Sequence, residues 1–342
     1  AFALVGFAHA EPKVEFPPQI ALRILHAPMV APLADGDRLF YELMLSNHQP
    51  EPYELQKLTF LDESGQTVQE WEAQLLTSSL KHFGSPSDTT LVLQPGATAV
   101  VYCSVPASKG LRRVSHRLEF VSAGQFKSLQ DEGVVVQAGD VPVFSSPFGR
   151  GGAWTAASAP SNQSPHRRSM MTLNGNFHIS QRYAIDWVLT DEQHRFYKND
   201  GTKLADHYCY GVPAVAVADG TVVDLQDGLA EGPPSQSERP YPITPRTIGG
   251  NWVALEVGPK RYAMYAHLQP GSLRVRKGQQ VKAGEQLGLI GSSGNSTAPH
   301  LHLHLSDRPD WVNAEGVPYR FRSFRCLGSV STPDDGTHIE FK

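Results

Sequence analysis

From Leu301 to Leu305 the chain alternates leucine with histidine, and Ala298-Pro299-His300 leads into that run. A period of two is the signature of a β-strand. Leu301, Leu303 and Leu305 then fall on one face, and His300, His302 and His304 on the other. A helix would scatter both sets around its circumference. The leucine face belongs in a core, which leaves three imidazoles side by side near the interior. Burying them without partners is costly. A divalent metal removes that cost, because neutral imidazole is the commonest protein ligand for zinc. The run therefore reads as a core strand with a metal-binding face, against the plainer alternative of an exposed histidine-rich face.

The rest of the chain favours short strands as well. Its 342 residues include 30 glycines and 26 prolines, a frequency that suits many turns and disfavours long helices. That length fits two domains. With a formal net charge of −4 and no basic block, a nucleic-acid partner is not expected. There is no apolar run of about eighteen residues, so no integral membrane segment is expected. Residues 1–10 are apolar and end in Ala8-His9-Ala10, resembling the tail of a secretory signal peptide. Export to the periplasm or the medium is the corresponding expectation, in a compartment where a disulfide persists. Of three cysteines, Cys103 reads as a buried strand thiol, and whether Cys209 and Cys326 pair stays open.

Residues 14–138 read as an antiparallel, Ig-like β-sandwich. Candidate strands at 20–24, 39–45, 53–60, 91–93, 99–102 and 116–120 are separated by turn signals such as Asp35-Gly36 and Pro95-Gly96. The histidines there are scattered, and no catalytic grouping emerges, which points to a binding or spacer module. Residues 139–170, rich in glycine, serine and proline, read as a linker. Residues 171–342 make the second domain. Within it Tyr183, Ile185 and Trp187 alternate with Ala184 and Asp186, as a strand would. Asp186 on the small-residue face is an unusual carboxylate unless it is bound, and a salt bridge to Arg182 is the simplest partner. Residues 210–223 read as a hairpin turning at Asp219-Gly220, and the segment Gly278 to Gly288 has a hairpin rhythm of its own. Residues 229–246, with five prolines, form an irregular insertion able to line a cleft.

Four blocks of this second half resemble the lysostaphin-type (LytM-like) zinc metallopeptidases: the Asp186 strand, Gly211 to Val222, Tyr265-Ala266-His267-Leu268, and Gly278 through His302. Gly294 to His302, ending in His300-Leu301-His302, is the most specific of them. The resemblance covers about residues 174–305 and no part of the first half. It implies a C-terminal antiparallel β metallopeptidase domain whose sheet floors a narrow groove. It implies one zinc ion held by a histidine, an aspartate and the second histidine of the His-x-His strand. Asp186 and His302 match the last two ligands, and His267 and His300 match the family's two catalytic histidines. The first ligand departs from the pattern: where a histidine stands four residues before the aspartate, this chain has Arg182. His178 is taken as the first ligand instead. The implied substrate is a peptide crosslink of peptidoglycan.

Such residue types support hydrolysis on their own. Three protein ligands leave zinc an open position, and zinc lowers the pKa of a water there to ~7. One imidazole nearby can accept the water proton and another can stabilise the oxyanion. His300 is assigned as the base and His267 as the oxyanion partner, with the reverse left open. His304 and Arg182 are read as outer support. The competing readings are an inactive LytM-like domain that binds cell wall or regulates another hydrolase, and a peptidase acting on proteins. A biotinyl-type carrier is set aside, because the Gly278 to Gly288 segment has no lysine between methionines.

Overall fold

The computed structural model describes residues 17–33, 36–84, 89–235 and 239–322, and the backbone of Phe324–Cys326 and His338–Phe341. The stretch read as a signal remnant lies outside these residues, as does the Cys326 side chain. Among the described residues Cys103 and Cys209 are buried free thiols.

The N-terminal half is a sandwich of two antiparallel sheets. One runs Ile20–Ile24, Gly36–Asn47, Thr98–Pro106, Leu80–His82, with Val30–Leu33 also on the long strand. The other runs Gln125–Gln130, Arg113–Ser122, Tyr53–Leu61, Thr67–Glu72. Alternation drives the packing: Leu39, Tyr41, Leu43 and Leu45 face Leu58, Phe60, Leu118 and Phe120 in one core. The short helix Ala73–Ser79 buries Leu76 against it.

The long strand Gly36–Asn47 is buried on both faces, which a free-standing sandwich would not require. Its second face carries Phe40 and Glu42, and the other half of the chain covers them. Phe40 meets Tyr183 edge-on at 5.9 Å, and Val100 and Tyr102 pack with Ile179. Glu42 is fully buried between two guanidinium groups. Its Oε2 accepts from Arg182 at 2.6 Å, and its Oε1 accepts from Arg167 Nε and Nη2 at 3.2 and 3.1 Å. Arg182 also donates to Glu315 at 2.8 Å, so the cluster balances two cations with two anions. Arg182 thus does not pair with Asp186, contrary to the simplest sequence reading. Its partner is a carboxylate 140 residues earlier in the chain.

Removing one member of such a buried set leaves an uncompensated charge and costs about 3–5 kcal/mol. Glu42→Gln is expected to lose that much at neutral pH. Burial pushes the Glu42 carboxyl up, but Arg182 and Arg167 outweigh it and hold the group below the usual range. A carboxyl depressed on folding stabilises above its unfolded value, about 4.3, and stops doing so as pH falls through the folded one. The stability difference between wild type and Glu42→Gln should therefore narrow below about pH 4, as measured by denaturant unfolding across a pH series.

The second half is organised by a nine-stranded sheet. Its order is Gln280–Val281, Gly220–Gln226, Asn251–Gly258, Arg261–Leu268, Leu301–Ser306, Ile185–Thr190, Ala153–Ser158, His338–Phe341, Phe324–Cys326. The histidine strand lies in the middle with leucines 0% exposed, as its periodicity requires. Two expectations are corrected. Residues 139–170 are not a linker: Ala153–Ser158 pairs along the aspartate strand, and Val143–Phe144 pairs with Arg320–Phe321. The reason is Trp154, fully buried and stacked on Phe148, which pulls a short alternating run out of a glycine- and serine-rich context. Nor do residues 210–223 form one hairpin, for Pro213–Val215 pairs with Gln286–Leu289 while Gly220–Gln226 joins the large sheet. The Asp219 turn is tied instead to the glycine-rich segment, where Asp219 accepts from Ala283 N at 2.9 Å and Lys282 Nζ at 2.8 Å. That segment likewise divides between two partners, Gln280–Val281 pairing with the strand that begins at Gly220.

Candidate metal centre

Two neighbouring strands of the large sheet build the floor of the site. In the antiparallel pair Ile185–Thr190 and Leu301–Ser306, Asp186 stands directly opposite His302. The register alone brings His302 Nδ1 to 2.9 Å from Asp186 Oδ1. A third group arrives from the segment read as linker. His166 sits in a turn closed by Arg168 N donating to Ser164 O, and its Nε2 lies 3.2 Å from Asp186 Oδ2. Ser158 Oγ, 3.2 Å from His166 Nδ1, steadies the ring from the other side. His166, Asp186 and His302 present one ligand atom each, all within 4.8 Å of one another.

His178 is not in this cluster. It ends a small hairpin of Met171–Leu173 and Asn176–His178, where its Nδ1 lies 3.5 Å from Glu315 and its ring 6.4 Å from His26. Sequence distance misled here: eight residues separate His178 from Asp186, but the intervening chain turns the hairpin towards Glu315. His166 is twenty residues from Asp186, and the strand Ala153–Ser158 delivers it. One signal was available. Arg167-Arg168 directly follows His166, and paired arginines in a glycine- and serine-rich stretch whose other charged residues are Asp140 and Arg150 need partners in a folded body.

His267 and His300 line the same cleft. His267 Nδ1 donates to Ser293 O at 2.7 Å and His300 Nδ1 to Ala298 O at 2.8 Å, since a carbonyl can only accept. Both rings thereby keep Nε2 as the acceptor in their neutral forms. They lie 4.6 Å apart, and His300 Nε2 is 3.4 Å from Asp186 Oδ1. His267 has φ of +63°, a conformation a side chain of its size rarely adopts. Its backbone is held there by Gly249 O, which accepts from His267 N at 2.8 Å, and by Gly291 N, which donates to His267 O at 3.0 Å. His304 is fully buried behind His302, with Nδ1 2.8 Å from His302 Nε2 and its ring edge-on to Trp311. The cleft encloses about 390 Å³ between His166, Asp186, His267, His300, His302 and Trp311. The insertion at 229–246 is tied to the loop that precedes His300 through Tyr241, whose hydroxyl accepts from Gly294 N at 2.7 Å.

Charge sorts these groups. Burial pushes the Asp186 carboxyl up, but His166 and His300 overcome it and hold it well below the carboxylate range. Burial, reinforced by His300 and His302, pushes His267 well below the ordinary imidazole value. Burial brings His302 down to about 4. His300 goes the other way: burial lowers it, yet Asp186 raises it by more. His166, Asp186 and His302 together are a donor set of the kind that holds a divalent cation: two imidazoles and a carboxylate converging at one point. The proton inventory agrees, since a metal on His302 Nδ1 leaves Nε2–H to donate to His304 Nδ1.

Residues 197–314 match the family model described as peptidase family M23. That stretch includes His267, His300 and His302, whereas His166 and Asp186 precede it. Over 145 residues the chain is 34% identical to the peptidoglycan DD-endopeptidase ShyA of Vibrio cholerae, covering 39% of this chain and 29% of that protein. Over 85 residues it is 38% identical to the glycyl-glycine endopeptidase ALE-1 of Staphylococcus capitis, covering 25% and 23%. The chain thus spans less than a third of these curated relatives. Among solved structures, the catalytic domain of the antimicrobial peptidase lysostaphin from Staphylococcus simulans aligns at 24% identity. The alignment covers 40% of this chain and 71% of that one, with a TM-score of 0.23.

Proposed function

Because residues 197–314 form a peptidase family M23 domain, we propose that the protein is an exported zinc metalloendopeptidase that hydrolyses peptide crosslinks of peptidoglycan. The observation that carries this reading is the convergence of His166, Asp186 and His302 at the floor of a cleft that two more histidines overlook. The relatives that act on peptidoglycan peptides support the substrate and, with it, export.

His166 Nε2, a carboxylate oxygen of Asp186 and His302 Nδ1 would hold the metal. A zinc ion held by them would supply a Lewis acid for the scissile carbonyl and lower the pKa of a water to ~7. His304 fixes the tautomer of His302 by accepting from its Nε2–H. His267, kept neutral by burial and with its Nδ1–H committed to Ser293 O, presents a free Nε2 lone pair and takes the water proton. His300, whose protonated form Asp186 favours, donates from Nε2 to the developing oxyanion or the leaving amine. This inverts the roles assigned from sequence, which had left the exchange open. The strained backbone at His267 is the cost of aiming that ring into the cleft.

The test is metal content and substrate choice together. Purified protein dialysed free of loose metal should hold one equivalent of zinc and release peptide from isolated cell-wall sacculi. Chelation should stop the release and added zinc restore it, with unfolded protein substrates cut poorly. Zinc without wall hydrolysis would favour a protein substrate. Wall binding without zinc would favour an inactive, wall-binding or regulatory domain.

A further inference from the structure

The three candidate ligands are not equally well fixed by the fold around them. Asp186 and His302 face each other across a paired ladder, and the register of that ladder places both. His166 has no ladder. It stands in a turn, and the side chains around it reach away from the large sheet into the N-terminal sandwich. Arg167, the next residue, is 0% exposed and donates to Tyr41 O at 2.9 Å, to Cys103 O at 2.8 Å and to the carboxylate of Glu42. Gln163 Nε2 donates to Ser78 O at 3.1 Å, and Arg168 lies over the Tyr102 ring at 5.0 Å. Every one of these partners belongs to the sandwich.

The same carboxylate reaches the second ligand's strand. Glu42 Oε2 accepts from Arg182 at 2.6 Å, and Arg182 stands four residues before Asp186. Glu42 therefore ties the turn that carries His166 to the segment that carries Asp186, in addition to the ladder in which Ser158, eight residues before His166, stands opposite Asp186. Arg182 continues the connection to Glu315, whose Oε1 accepts from Ile179 N at 3.2 Å.

We infer that the N-terminal sandwich is a structural half of the metal centre, and that Glu42 is the positioning residue through which it sets the distance between His166 and Asp186. The inference rests on the zinc reading proposed above. It replaces the expectation of a separate binding or spacer module: the sandwich acts on the site through a bifurcated ion pair at the junction, and a displacement of the sandwich would withdraw a ligand. Glu42 touches neither metal nor substrate, so its effect is on the geometry of the ligand set.

The experiment uses the full chain and reads metal binding. Zinc affinity is measured by chelator competition, and the ligand set by the visible absorption of the cobalt(II)-substituted protein. Four proteins are compared: wild type, Glu42→Gln, Glu42→Asp and Leu118→Ala. Glu42→Asp keeps the charge and shortens the reach, so it carries the comparison if Glu42→Gln does not fold. Leu118 is buried in the sandwich core on the sheet away from the junction, and its truncation lowers stability without touching the Arg167–Glu42–Arg182 set. Both Glu42 variants should bind zinc at least tenfold more weakly and shift the cobalt bands, whereas Leu118→Ala should match wild type in both readouts. Glu42 variants with wild-type affinity and spectrum would overturn the inference. So would a Leu118→Ala protein that weakens zinc as much as they do, because the site would then follow stability alone. A wild type that takes up no zinc would overturn the underlying metal reading, and is told apart by that result.

Discussion

His166→Ala is expected to abolish stoichiometric zinc binding and hydrolysis, while His178→Ala leaves both close to wild type. Changes to groups one step removed from a metal cost ~10–100-fold in affinity or activity, and loss of a ligand should exceed that range. In the proposed site His166 supplies one of three protein donors, and Asp186 and His302 alone would leave a two-coordinate metal. His178 lies against Glu315 and His26 and is not among the residues that line the cleft. Zinc content by elemental analysis and release of peptide from sacculi measure the pair directly. A His178→Ala protein that loses its zinc while His166→Ala keeps it would return the first ligand to His178 and leave the geometry of the cleft unexplained.

The contrast between these two histidines marks where the sequence is informative. Period-two alternation is a local property, so the histidine strand was legible from Leu301 to Leu305, and the aspartate strand from Ile185 to Trp187, although Tyr183 and Ala184, read with it, precede the strand. The strand read at 39–45 was legible for the same reason, within the longer Gly36–Asn47. His166 was not, because nothing local distinguishes a turn that carries a ligand from a turn in a linker. Its position depends on Trp154, whose burial draws the preceding strand into the sheet, and on Glu42, more than a hundred residues upstream. Arg182 shows the same limit. A neighbouring carboxylate in sequence was the natural partner, and the fold supplied a distant one. The fate of Pro213–Val215 also depended on non-local pairing, since a plausible turn at Asp219-Gly220 does not decide which sheet each arm joins.

Glutamine substitutions separate the roles of the two cleft histidines that alanine cannot distinguish. His267→Ala and His300→Ala should each lower kcat by about 10²–10⁴ with little change in bound zinc, as removal of proton transfer or of a charge-stabilising donor does. A glutamine amide can donate a hydrogen bond but cannot take a proton at neutral pH. If His300 donates, His300→Gln should recover part of the rate lost in His300→Ala. If His267 accepts the water proton, His267→Gln should remain as slow as His267→Ala. The electrostatics set that order: burial beside His300 and His302 disfavours a charged His267, whereas Asp186 at 3.4 Å favours a charged His300. Position 267 carries a second constraint, because any replacement must still adopt a φ of +63°. His267→Asn is therefore the informative companion, since asparagine tolerates that conformation better than most side chains and also cannot act as a base. Recovery in His267→Gln or His267→Asn without recovery in His300→Gln would exchange the two assignments and restore the order inferred from sequence.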